Sequence, residues 1–267
     1  MPKLKQLFCF LIASALLPAL CPAPGRAQSA APQPAIESRV NLSDVLQKLV
    51  DRNAERAEAL QKYQGRRVYH VAYTGFPKSF EAEMVVDMTY DAPATKQFKI
   101  VSQAGSQWMI DRILKRLLET EQEALTEENR RRVALDPSNY NFSGLEVQNA
   151  ADGCSYAVLV QPKVPSKLLY TGRVWVDKSD FAVCRIEAQP AKNPSLLIKK
   201  TEIHHSYVKI GDFWLPSENE SVSYIRGGGR AVLTIKYESY QILAARSLHG
   251  GDVAASASSA ELAHPAN

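Results

Sequence analysis

From Phe80 to Tyr90 apolar and polar residues alternate with one break. Phe80, Ala82, Met84, Val86, Met88 and Tyr90 fall on one side; Glu81, Glu83, Asp87 and Thr89 fall on the other, and Val85 is the exception. A period of two predicts a strand with one apolar and one wet face, as in an antiparallel sheet. Arg67 to Thr74, with Val68, Tyr69, Val71 and Tyr73, predicts a strand before it, and Lys96 to Ser102 predicts one after the turn at Asp91-Ala92-Pro93.

The period lengthens across 106–135. Ile110, Ile113, Leu114, Leu117, Leu118 and Leu125 recur at three- and four-residue steps, with charges between them. This predicts one amphipathic helix, or two with a break near Thr126, which needs an apolar surface to lie on. A second helix is expected over 42–63, with Ser43 as N-cap, Val45, Leu46 and Leu49 on its apolar side and Gly65 as its stop. Further strands are expected near 143–149, 154–162, 168–177, 181–190, 196–210, 217–226 and 230–242. About ten sequential strands joined by short turns imply one long, curved antiparallel sheet, which must close, split or be covered. Two helical segments are available to cover it.

The flanks read differently. Lys3 and Lys5, the apolar run Leu7 to Leu20 and the small residues Gly25 and Ala27 have the form of a cleaved secretory signal over 1–27. Leu20 before Cys21, where a small residue is needed, disfavours a lipid anchor. A linker at 28–40 and an Ala-, Ser- and Gly-rich tail at 243–267 are expected to be disordered, which leaves one domain over 41–242. The signal holds three bases and no acid, so the formal charge of +4 becomes +4 − 3 = +1 without it. That excludes the basic footprint of a nucleic-acid binder.

Candidate chemistry is sparse. The chain has no GxSxG, HExxH or CxxC, and Gly227-Gly228-Gly229 reads as a turn between strands. His204 and His205 are strand neighbours and point to opposite faces, so no metal site or cofactor is expected. In a simple meander Cys154 and Cys184 lie about 9–10 Å apart, two inter-strand spacings, which is too far to bridge. Two thiols are therefore expected unless the register is irregular. The concave side of a helix-covered sheet can accept an acyl chain, and Met84, Val86 and Met88 are candidate lining residues, with Trp108 as a lid residue.

Short motifs add a family likeness. Arg173-Val174-Trp175-Val176-Asp177 and Phe181-Ala182-Val183-Cys184-Arg185-Ile186-Glu187 are followed by Gly211-Asp212-Phe213-Trp214-Leu215-Pro216-Ser217. Across 42–242 the chain resembles the LolA/LolB-like superfamily of bacterial outer-membrane lipoprotein-sorting proteins. The resemblance implies an α+β, mainly β fold: a half-barrel of about ten to eleven antiparallel strands with helices over its concave face. It implies a monomeric periplasmic carrier that shields lipoprotein acyl chains or other lipid without catalysis. The alternative is an envelope-stress sensor that binds an envelope membrane protein; an unrecognised hydrolase ranks third. Arg66 and Arg67 are the candidates for the arginine that latches the lid in such carriers. The charged segment at 106–140 is longer than the resemblance leads one to expect.

Overall fold

A computed structural model describes residues 40–248 apart from Ala94, so the expected signal segment at 1–27, nearly all of the expected linker and most of the expected tail lie outside the described residues. Helix α1 (Leu42–Ala59) leads without a turn into β1 (Leu60–Thr74), β2 (Phe80–Asp91) and β3 (Thr95–Gly105). A helical segment follows, and then β4 (Tyr140–Val147), β5 (Tyr156–Pro162), β6 (Tyr170–Val176) and β7 (Val183–Pro190). The last strands are β8 (Ile198–Ile210), β9 (Phe213–Ile225) and β10 (Arg230–Ala245), so β10 runs past the domain end expected at 242.

All ten strands form one open, curved antiparallel sheet in the order β3-β2-β1-β10-β9-β8-β7-β6-β5-β4. Only β1 and β10 are neighbours without following each other in the chain. Directly paired residues share a face, so one row can be followed across the whole sheet. It reads Gln103, Met84, Tyr69, Ile235 and Asn219, then His205, Ile186, Val174, Val158 and Leu145. Apart from Gln103 at the β3 edge, the row is apolar on both sides and polar in the middle, at Asn219 and His205. Because β3 and β4 are opposite edges, the chain between them has to cross one face, and it crosses on the side of this row.

Several local expectations change. The N-cap of α1 is Asn41, whose side chain accepts from Asp44 N–H, and not Ser43. The helix stops at Ala59, and Gly65 lies inside β1. There the Tyr240 ring passes so close that a Cβ would stand 3.1 Å from it, which gives this glycine a packing role in place of a stop. The β6–β7 turn takes in Phe181 and Ala182 as well as the polar residues; Asp177 Oδ1 accepts from Ser179 and Asp180 N–H at 2.8 and 2.7 Å.

The expectation of two thiols is wrong: Cys154 and Cys184 form a disulfide, with Cα atoms 6.0 Å apart. Cys154 precedes β5 in the β4–β5 turn. Cys184 is the extra residue of a bulge, since Trp175 pairs with Arg185 and Val176 with Val183. The bulge turns Cys184 across the end of β6, so the two-spacing estimate fails. The bridge packs with Ala157, Trp175 and Trp214, off the helix-covered face. Replacing both cysteines by alanine is expected to cost about 3 kcal/mol, or on the order of 10 °C in Tm, for a link of this span. Thermal melts with and without reductant check it.

Candidate binding site on the concave face

The covering segment starts at the end of edge strand β3. Gly105 has φ +88°, and a Cβ there would collide with the Glu81 carbonyl, so glycine permits the chain to fold back over the sheet. Then come α2 (Gln107–Met109), a π-helical stretch (Ile110–Leu114) and α3 (Lys115–Glu123), with α4 (Glu127–Val133) beyond. Lys115 N–H bonds to Ile110 O, which widens the turn by one residue. Met109, Ile110, Leu114 and Leu118 lie on Tyr69, Val71, Ala82, Met84 and Val86. Met84, Val86 and Leu114 have no exposed surface, and each such side chain contributes about 1.5–3 kcal/mol by burial.

A charged latch holds α3 down. Arg67 on β1 is 4% exposed. One of its Nη atoms donates to Glu121 Oε2 at 2.6 Å and to the Tyr69 hydroxyl at 3.2 Å. Lys96 Nζ donates to the other Glu121 oxygen at 2.6 Å. The guanidinium lies over the Tyr237 ring, 4.9 Å from its centroid. Burial works against both charges, yet Glu121 holds the Arg67 pKa above its ordinary value, and Arg67 with Lys96 holds the Glu121 carboxyl below its own. Of the two candidate arginines, Arg67 is the one that pairs with the helical cover. Arg66 points elsewhere, to Asp87 in a half-exposed pair.

The other half of the face lies under α1. Val45 and Leu49 pack with Tyr140, Val160, Leu169, Val174, Val176 and Ile186. Toward its C-terminal end α1 bridges a cavity of about 340 Å³, lined by Ala57, Leu60, Leu135, Ile186, Tyr207 and Phe213 among others. Arg56 closes one side, donating to the carbonyls of Asp180 at 2.9 Å and Phe181 at 3.3 Å. Burial pushes the Tyr207 hydroxyl up to about 12, so the wall is uncharged there. No carboxylate, histidine or serine lines the cavity, and no group of residues able to hold a metal is found among the described residues.

His205 and Asn219 sit between the two halves. Asn219 Nδ2 donates to the Tyr237 hydroxyl at 2.9 Å. Burial, aided by His204, lowers the His205 pKa to about 4. A base that stays neutral when folded but titrates near 6.5 when unfolded adds no pH dependence above about 6.5. Between about 6.5 and 4 the unfolded chain takes up the proton first, so stability falls with pH. From the ordinary glutamate value of 4.5 downward the unfolded chain also takes up a proton before folded Glu121 does, which adds to the loss. Urea melts across this range are expected to show the first arm, and His205→Gln is expected to flatten it while leaving the Glu121 arm in place.

Of the residues expected to line a site, Met84 and Val86 meet under the helical cover, and Met88 lies further along with Tyr63 and Tyr240. Trp108 is 66% exposed and turns away from the sheet. Sequence reasoning missed Glu121, which looks like any other charge on a polar helix face. It missed the α1 cavity as well, although Phe213 stands inside one of the motifs it had singled out.

No family model and no curated protein matches the chain. Among solved structures it is similar to an outer membrane lipoprotein-sorting protein domain, described as putative, from Vibrio parahaemolyticus, at 11% identity and TM-score 0.38, covering 79% of this chain and 95% of that one. It is similar to a LolA superfamily protein from Nitrosomonas europaea, at 12% identity and TM-score 0.33, covering 78% and 94%. The MucA/MucB complex of Pseudomonas aeruginosa matches at 9% identity and TM-score 0.25, covering 72% and 92%. At such scores these likenesses carry no weight in the reading that follows.

Proposed function

We propose that the protein is a periplasmic carrier that shields acyl chains, of lipoproteins or of other lipids, on the apolar concave face of its open sheet. The supporting observation is the helical cover over Met84 and Val86, fastened by the Arg67–Glu121–Lys96 latch, together with a mostly apolar cavity under α1. Opening the latch would let α2 and α3 lift from the sheet and uncover the apolar row around Met84 and Val86. A single dry core would not need a charged clasp at one end of its cover. Transfer would then follow from a difference in affinity between donor, carrier and acceptor.

Native mass spectrometry of protein purified from its own envelope tests this. An acyl-bearing adduct that Met88→Asp removes is the expected result; protein that is empty and refuses added lipid would sink the reading. A second reading, an interaction module that senses envelope stress through a membrane protein, is favoured by α4, which has no buried residue and carries Arg130, Arg131 and Arg132.

A further inference from the structure

The alternation of turns along an antiparallel sheet puts the β1–β2, β5–β6, β7–β8 and β9–β10 turns at one end. They form a continuous rim. Ala191 N–H bonds to Leu169 O at 2.8 Å, and Arg226 N–H bonds to Leu197 O at 2.7 Å. The Tyr73 ring of β1 fills the space beside Gly229.

The rim's composition is one-sided. Phe76, Val164, Leu168, Leu196 and Leu197 project from it with exposures of 92, 74, 57, 91 and 68%. Scattered apolar residues are normal on a surface, but five gathered at one end of the sheet, two on each of the neighbouring β5–β6 and β7–β8 loops and Phe76 beyond the β9–β10 turn, form a patterned edge. Between them stand Lys78, Lys163, Lys167, Lys192 and Arg226, all exposed. None of these makes an ion pair among the described residues, and the four loops contain no Asp or Glu. The turns at the other end carry the reverse charge, with Asp152, Asp177, Asp180 and Asp212 against Lys178.

We propose that this rim docks the protein on an anionic lipid bilayer. The loop tips enter the boundary between headgroups and acyl chains, and the bases stand at the level of the phosphates. Apolar area and positive charge act together at such a surface, and neither suffices alone. A protein partner would need acids opposite each base and pockets for five separate side chains; a bilayer supplies both without a fixed register. The opposite, acidic end sets the orientation, since an anionic surface repels it. The proposal goes beyond the carrier reading and does not rest on it.

The test is co-sedimentation of the chain, as recovered from its own cells, with vesicles of phosphatidylglycerol and phosphatidylethanolamine or of phosphatidylcholine alone. Partitioning about tenfold stronger into the anionic vesicles, lost as salt is raised, is expected. Leu196→Ser with Leu197→Ser, and separately Lys163→Glu with Lys167→Glu, should each weaken it about tenfold with unchanged melting curves. Asp212→Asn at the other end should change nothing. Should either double variant melt early, Phe76→Ser in a different loop takes its place. Equal partitioning of parent and variants, or of the parent into both vesicle types, overturns the proposal. So does absence of partitioning, which would leave the rim to a protein partner.

Discussion

Met84→Asp is expected to abolish cooperative folding at 37 °C. Met84 is wholly buried, opposite Tyr69 and Gln103, within the cluster that includes Ile110 and Leu114. The change removes about 1.5–3 kcal/mol of apolar burial and adds several more for a carboxyl group without a partner, together about 5 kcal/mol. Domains of this kind hold only about 5–15 kcal/mol in all. Met84→Leu, close to volume-conserving, should cost less than about 1.5 kcal/mol. Circular dichroism melts separate these outcomes; a Met84→Asp protein that melts within a few degrees of the parent would show that the face is not buried. Val86→Asp should be milder. Val86 lies opposite Arg67, whose Nε has no partner, so the new carboxylate would gain a counter-ion at the expense of the latch.

Arg67→Ala is expected to cost about 3 kcal/mol, toward the low end for breaking a buried pair, because Lys96 still faces Glu121. The loss should be local. Hydrogen exchange of amides in 107–123 should quicken well before that of β5 to β7, where the cover makes no contribution. Replacing both partners, as Arg67→Met with Glu121→Leu, should restore most of the stability, since neither charge is then left buried alone. If the single variant speeds exchange evenly over the whole sheet, Arg67 serves the core and not the cover.

How much of this could be read beforehand follows from the range of each interaction. The inward face of β2 was legible because a period of two shows within ten residues, and Met84, Val86 and Met88 are indeed buried. The apolar stripe of the cover was legible for the same reason. Trp108 was misplaced by proximity in sequence: two residues before Ile110 is about 200° around a helix, the opposite side from the stripe. The bridge between Cys154 and Cys184 was hidden because one bulge residue reverses an estimate built on regular spacing. Gly65 looked like a stop because the ring that demands it belongs to Tyr240, far along the chain. The α1 cavity collects residues from Asn53 to Trp214, and no local pattern announces such a meeting.

The pairing of β1 with β10 has a kinetic consequence. Strands β1 to β3 form a local meander, and so do β4 to β10, each able to zip from its own turns. Joining the two brings Leu60 to Ala245 and Thr74 to Arg230, contacts between distant parts of the chain whose loop-closure entropy is lost before any of the pairing is gained. That seam is expected to set the pace of assembly. Until it forms, β1 and β10 both present bare edges, and the two half-sheets are as ready to pair with a neighbouring molecule as with each other. Dilution during refolding should therefore raise the yield of monomer more than it changes the rate.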